Sequence, residues 1–368
     1  MTSPAPAPRL VALATARPRH VVRQEDARAL VTALFKDRLT ADDQRLFAVF
    51  ENTGIEARHI CMPLEWYAGD HDFGVRNDLY MEHALALASA AIDTALASAG
   101  LGPRDVDHLL FVSSTGLATP SLDARLANAL GMRADVRRTP IWGLGCAGGA
   151  AGIARARDFA LADPRATVLL VALELCSLTF QREEVTRRNL VATSLFSDGA
   201  AAALVLGAEA DAGGGSAPAT RPLALVAARS TLWPDTLDVM GWEVDSTGLH
   251  VVFSRDIPTI VRDWVRPNVD AFLAAHGLSL ETLTHVVAHP GGPKVLAAYA
   301  EALGLPLAAF RHAAAVLRES GNMSSPTCLF VLERALVAGD IRAGDSAILA
   351  ALGPGFASEI VLMRGLGA

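Results

Sequence analysis

The sequence predicts an α/β protein made of two similar halves, stacked as a duplicated, five-layered αβαβα sandwich. Three observations lead there. Short apolar runs alternate with Ala-rich helical stretches, the pattern of strands crossed by helices. The same order of segments occurs twice along the chain. Between the copies lies ADAGGGSAPATRP (210–222), rich in Gly, Ala, Ser and Pro and almost free of apolar pattern. The boundary is placed there, giving a first half of 1–209 and a second of 223–368.

Each element follows in chain order. LVALATA (10–16) reads as a strand after a Pro-rich lead. Residues 22–50 read as helical, with apolar positions at Leu30, Val31, Leu34 and Phe35. Residues 80–99 are Ala-rich and helical and stop at Gly100. DHLLFVSST (107–115) reads as a buried strand that opens into a polar loop, and LTHVVAHPG (283–291) matches it in the second half. TVLLVALE (167–174) pairs in the same way with SAILAALG (346–353). FSDGAAAALVLG (196–207) closes the first half as GPGFASEIVLMRG (353–365) closes the second.

Composition narrows the function. With 51% hydrophobic and 19% charged residues, the chain has material for a large core and does not read as disordered. A net charge of −7 and pI near 5.8 argue against a general nucleic-acid binder. The four cysteines, Cys61, Cys146, Cys176 and Cys328, show neither metal-ligand nor disulfide-framework spacing. With no secretory leader and no run of about 18 apolar residues, the expectation is a cytoplasmic protein with no membrane span.

Three residues carry chemistry. Cys146 sits in TPIWGLGCAGGAAG, before a helical stretch. Unsatisfied N–H groups at a helix start favour a thiolate, and the Cys146 N–H is a candidate oxyanion donor. Gly145, Gly148 and Gly149 permit a tight turn and close helix packing. His289 precedes Pro-Gly-Gly-Pro at the end of a buried strand, where an imidazole can pair with a thiolate or donate to an enolate. Asn322, in RESGNMSSP, offers an amide donor to a developing enolate oxygen, although Gly-Asn alone is more often a turn or cap. Cys61 and Cys328 read as packing residues and His285 as structural. Cys176, just beyond Glu174, is a candidate for the same cavity.

Taken together these segments resemble the chalcone synthase-like type III polyketide synthases. GCAGG, AHPGGP, GNMSS, SLFSDGAAA and the closing GPGF occur in the family's order and spacing, from about Arg45 to the C-terminus. The resemblance implies a thiolase-like fold and a homodimer. It implies that an acyl-CoA loads onto Cys146 and that His289 and Asn322 stabilise the enolate of decarboxylated malonyl-CoA. Coenzyme A thioesters are then substrates, and no cofactor or metal is implied. Phe196 matches a gatekeeper between the CoA tunnel and an inner cavity. Ser324 and the loop Gly353, Pro354, Gly355 and Phe356 match cavity-wall positions, and Ser114 stands where a Thr is usual. Arg45 matches one CoA-gripping residue, with Lys294, Gly291 and Gly292 at the expected rim.

This chain departs from the family at several positions. A second gatekeeper Phe falls on Val251. Ala48 and Asn52 replace basic residues. Thr119 and Cys176 stand where plant members carry Met and Thr, and Trp242 replaces a pocket Gly. These positions resemble bacterial members that take medium to long aliphatic starters and give pyrone or resorcinol-type products. The nearest rival is an initiating β-ketoacyl carrier-protein synthase, whose His is usually followed by Gln-Ala-Asn and which lacks GPGF. An acyl carrier protein is an alternative donor of the starter. A degradative thiolase would want a second catalytic Cys, which GPGF does not supply. An inactive scaffold and a cysteine hydrolase fit the trio and the duplication less well.

Overall fold

The computed structural model describes residues 7–38, 43–211 and 221–367. The first half runs β1 (Arg9–Ala16), β2 (His20–Arg23), α1 (Gln24–Phe35), α2 (Ala48–Asn52), β3 (Ala57–Ile60), α3 (Phe73–Ala99), β4 (His108–Val112), α4 (Leu122–Ala129), β5 (Arg137–Ile141), α5 (Gly148–Ala162), β6 (Thr167–Leu175), α6 (Arg187–Leu195) and β7 (Asp198–Leu206). The second runs β8 (Leu223–Leu232), β9 (Met240–Asp245), β10 (Gly248–Phe253), α7 (Ile257–Ala274), β11 (His285–Ala288), α8 (Pro293–Leu303), α9 (Arg311–Ser320), α10 (Thr327–Val337), β12 (Ser346–Gly353) and β13 (Ala357–Gly365).

Strand pairing repeats between the halves. In the first, β1 pairs antiparallel with β7, β7 antiparallel with β6, and β6 parallel with β4. In the second, β8 pairs antiparallel with β13, β13 antiparallel with β12, and β12 parallel with β11. The first half adds β5 beside β4. The half-sheets join edge to edge into one nine-stranded sheet through a short seam, Arg9 opposite Ala224 and Leu10 opposite Leu223.

The period of two along each strand explains the layers. On β6, Leu169, Val171 and Leu173 pack with α3 on the outer face, while Val168, Leu170 and Ala172 face α5. Helices α5 and α10 lie in the middle layer, touching strands of both halves, and α7 packs outside the second half-sheet against α8. All six β6 residues are fully buried, so truncating Leu170 to Ala costs about 2–5 kcal/mol.

Two helices differ from the sequence expectation. The Ala-rich helix begins at Phe73 rather than residue 80, because Asp72 caps it by accepting from Val75 N–H at 2.8 Å. It ends where expected, at Gly100 in the left-handed region (φ +67°). The stretch 22–50 is a short strand followed by the two helices α1 and α2; its residues 39–42 lie outside the described residues, as does most of the 210–222 boundary segment. No helix among the described residues is long and apolar enough to cross a membrane.

Candidate active site

Cys146 stands in a 3-10 turn, Gly145–Ala147, that runs straight into α5. Gly145 needs its positive φ of +47°, and a Cβ there would meet Pro354 Cδ at 2.8 Å. Gly149 lets α5 touch the opposite half: a Cβ there would lie 2.2 Å from the Ser325 carbonyl oxygen. The backbone N–H groups of Gly143 and Gly145 donate to Ser114 Oγ at 3.2 and 3.3 Å, which fixes the turn from below.

His289 follows β11, and its backbone N–H donates to the Ala350 carbonyl at 2.9 Å. Its ring is buried, and neither ring nitrogen has a hydrogen-bond partner among the described residues. Asn322 lies between α9 and α10. Its backbone N–H donates to Leu195 O at 2.8 Å, and its carbonyl accepts from Ser197 N–H at 2.9 Å. The amide Nδ2 donates to Gly291 O at 3.3 Å, while Oδ1 accepts from Ser324 N–H at 2.8 Å. Ser324 adopts φ +57°, uncommon for a serine, and its Oγ accepts from Cys146 Sγ–H at 3.5 Å.

Electrostatics here differ from the expected activated thiolate. Burial pushes the Cys146 thiol up to about 11; hydrogen bonding to Ser324 opposes the rise and the nearby Glu174 charge adds to it. Burial pushes His289 down to about 3. The pair is therefore a thiol beside a neutral imidazole. Desolvation outweighs the pull of the helix start.

Glu174, at the end of β6, was not singled out from sequence. It is fully buried and accepts from Ser114 N–H (2.9 Å), Thr115 Oγ1 (2.8 Å), Ser113 Oγ (3.4 Å) and Ser325 Oγ (2.9 Å). It thus ties the loop after β4 to the loop that carries Asn322. Burial lifts its carboxyl to about 7, against the pull of these four donors.

Cys146, His289 and Asn322 line one cavity of about 980 Å³, together with Arg45, Gly291, Gly292 and Lys294. Arg187, Arg188 and Arg255 line it too, and among the described residues no Asp or Glu does so. Arg188 pairs with Glu184 at 3.0 Å and Glu243 at 3.2 Å. A rim of five cations in a chain of net charge −7 selects an anionic ligand. Arg187 and Arg255 were missed from sequence, since only folding brings the start of α6 and the loop after β10 to this mouth. Among the described residues no cluster of His, Cys, Asp or Glu is arranged to hold a metal.

Phe196, Cys176, Trp242 and Val251 line a second, smaller chamber instead. Phe196 lines this chamber and not the first cavity. Its ring lies 5.7 Å from Phe253, which lines the first cavity, and 6.2 Å from Trp242, which lines the second. Val251 and Phe253 are two apart on β10 and share a face. Phe253 thus lies one strand repeat from Val251, the position where the family carries an aromatic.

Eight expected wall residues fall elsewhere, among them Ser324, which bonds Cys146 and Asn322 and lines neither space. Ser114 is buried beneath the nucleophile turn. Thr119 is exposed and lines neither space. The loop Gly353–Phe356 backs the Cys146 turn rather than facing the cavity: a Cβ on Gly353 would lie 2.4 Å from Leu144 O, and Phe356 is fully buried against Trp233, ring centroids 5.8 Å apart. Cys176 joins the chamber behind Phe196, not the cavity of Cys146. His285 bonds Asp345 at 3.3 Å, away from the site, and Cys61 and Cys328 are buried.

Comparison with known proteins agrees with this geometry. The family model for chalcone and stilbene synthases, N-terminal domain, matches residues 3–210, and that for the C-terminal domain matches 224–367. The chain is 42% identical to a putative chalcone synthase of Bacillus subtilis over 360 residues, covering 96% of this chain and 97% of that one. It is 42% identical over 355 residues to the 1,3,6,8-tetrahydroxynaphthalene synthase of Streptomyces peucetius, covering 96% and 92%. The crystal structure of the Streptomyces coelicolor enzyme of that name, a bacterial type III polyketide synthase, superposes with a TM-score of 0.90 at 33% identity, covering 98% and 99%. The fold is thiolase-like, and the chain belongs to the chalcone and stilbene synthase family as an acyl-transferring type III polyketide synthase of the bacterial kind.

Proposed function

We propose that this enzyme extends an aliphatic acyl-CoA starter with malonyl-CoA and closes the product to a pyrone or a resorcinol. The observation that carries the reading is the meeting of Cys146, His289 and Asn322 in a cavity whose charged lining, among the described residues, is cationic. The rim suits the phosphates of coenzyme A, and the presence of Arg45, Lys294, Gly291 and Gly292 in the cavity lining supports that reading. Coenzyme A thioesters act as substrates, and no cofactor takes part.

The steps follow from the groups present. His289 takes the Cys146 proton as sulfur attacks the acyl carbonyl, and the CoA thiol leaves carrying a proton. Malonyl-CoA loses CO₂, and the enolate oxygen left behind accepts from His289 and the Asn322 amide. The enolate carbon attacks the acyl thioester and expels the Cys146 thiolate, giving a β-ketoacyl-CoA two carbons longer. Reloading repeats the cycle.

The chamber behind Phe196 supports an aliphatic starter, since Val22, Leu30, Val31, Ile60 and Leu64 form its walls. It measures about 70 Å³, so a long tail enters only as Phe196 and Trp242 turn aside. Exposed Leu117 and Trp142, beside Thr119 and the sheet-edge strand β5, support a homodimer across that face.

The test is a product assay with malonyl-CoA and acyl-CoA starters from acetyl to palmitoyl. Products whose mass tracks the starter are expected. A single condensation with malonyl carrier protein alone would instead assign an initiating synthase, and products built from malonyl-CoA whatever the starter would remove the aliphatic reading. Cys176→Phe, which narrows the chamber, is expected to shorten the accepted starter.

A further inference from the structure

Strands β9 and β10 form a hairpin that stands apart from the nine-stranded sheet and pairs, among the described residues, only with itself. Two strands alone are marginally stable in water, so contacts outside the hairpin decide where it lies. It borders three spaces. Met240 and Phe253 line the Cys146 cavity, Trp242 and Val251 line the chamber of Phe196, and Thr247 and His250 line an outer cleft of about 670 Å³.

The register sets the geometry. His250 stands opposite Glu243, and the next pair is Val251 opposite Trp242. Successive pairs project to opposite faces, so whatever holds the first pair fixes the tilt of the second. The first pair is held by charge. His250 Nδ1–H donates to Glu184 Oε2 at 2.8 Å, and Arg188 joins Glu184 at 3.0 Å to Glu243 at 3.2 Å. The His250 and Glu184 side chains are 16 and 13% exposed, so solvent and salt weaken their bond little. His250 Nε2 lies 2.7 Å from Thr247 Oγ1 and 3.1 Å from Asp245 Oδ1, both within the hairpin. The turn has separate anchors: Arg76 Nη2 donates to Thr247 O, and Gln181 Nε2 donates to Leu249 O at 3.0 Å. Loss of the Glu184 bond therefore frees the middle of the hairpin without detaching it. On the other face Val251 and Trp242 pack with Phe196, Cys176 and Ala192, apolar contacts that an alkyl tail can replace.

We propose that the Glu184–His250 clasp sets starter choice: it holds Trp242 where it keeps the chamber at about 70 Å³, and so disfavours long acyl tails. The inference rests on the reading that the starter's alkyl tail enters this chamber. A short tail need not move the hairpin. A long one pushes Trp242 away from Phe196 and makes good the apolar contacts it displaces, but it offers nothing in place of the charged bond. Glu184 and His250 are positioning residues, since neither lines the Cys146 cavity or the chamber.

The experiment measures kcat/KM of the full-length enzyme for butanoyl-CoA and lauroyl-CoA with malonyl-CoA, together with product masses and a thermal melt of each variant. His250→Asn places an amide N–H where Nδ1 stands and keeps the Glu184 bond. His250→Gln places it where Nε2 stands and loses that bond, and His250→Ala loses both. In His250→Ala and His250→Gln the lauroyl-to-butanoyl ratio is expected to rise about tenfold, the weight of one hydrogen bond to a charged group, through a lower KM for lauroyl-CoA. His250→Asn should stay within about twofold of wild type, since it keeps that bond. Butanoyl-CoA turnover should be unchanged in all three. A ratio unchanged or lowered in folded His250→Ala and His250→Gln overturns the proposal. So does an equal ratio in His250→Asn and His250→Gln, which would mark general loosening rather than the clasp. If His250→Ala fails to fold, His250→Asn against His250→Gln decides alone. Wild-type product masses that ignore the starter overturn the aliphatic reading and this proposal together; masses that track the starter, with unaltered ratios in the variants, overturn this one only.

Discussion

At the scale of single residues, the reactive pair is held neutral and a third ionisable group stands close by. Glu174 opposes a charge on Cys146. Replacing it by Gln keeps the shape and removes the charge, so Cys146 in Glu174→Gln should react with iodoacetamide about 3–10 times faster at pH 8. An unchanged rate there would show that the carboxylate does not restrain the thiol. The same groups give a signed pH effect on stability. Glu174 is raised from 4.5 to about 7, so the folded state binds the extra proton and stability falls as pH rises through that window. His289 is lowered from 6.5 to about 3, so the unfolded state binds the extra proton and stability rises with pH between those values. The two oppose each other between about pH 4.5 and 6.5. Thermal melts at pH 5 and 6.5 should therefore show Glu174→Gln gaining more, or losing less, than wild type on going to the higher pH, and His289→Gln the reverse. Cys146 and His289 were legible in sequence because each sits in a Gly- or Pro-marked junction, and Asn322 through the family resemblance that GNMSS carries. Glu174 was not, since a carboxylate at a strand end acquires meaning only when four donors fold around it.

At the scale of elements, the site is the meeting of two helix starts, α5 from one half and α10 from the other. Gly149 is where they touch, and any side chain there collides with the Ser325 backbone. Gly149→Ala should lower the melting temperature by several degrees and kcat by tenfold or more, because the Asn322–Ser324 loop must move away from Cys146. A variant with a lowered melting point and unaltered kcat would show that the loop tolerates the shift. Strand and helix identities were largely readable from apolar period, down to the stop at Gly100. Starts were not: Asp72 caps a helix two turns ahead of the Ala-rich stretch, and the helix expected over 22–50 is divided. The GPGF loop was recognised by its motif but misplaced, because close approach by glycine serves a supporting backbone as well as a cavity wall.

For the whole molecule, charge is sorted: the chain is net acidic, while the charged residues that line the cavity, among those described, are all cations. The double variant Arg187→Ala with Arg255→Ala should raise KM for malonyl-CoA about tenfold and weaken its dependence on salt. KM for malonyl-pantetheine, which lacks the nucleotide phosphates, should move less than twofold; equal effects on both thioesters would remove the phosphate role. Sequence showed Arg45 and Lys294, but residues so far apart in the chain as 45, 187, 255 and 294 become one mouth only through tertiary packing. The duplicated strand order was visible as paired segments, whereas the seam that joins the two half-sheets was not. That seam has a consequence for failure. Cys146 belongs to one half, His289 and Asn322 to the other; the sheets share only the first residues of β1 and β8, and the rest of the joint is the packing of α5 and α10 on strands of both halves. In rising urea the halves should slide before either unravels, so turnover should vanish while the circular dichroism signal is still largely intact. An enzyme assembled across its own fault line is silenced by a slip of a few ångströms, long before it is denatured.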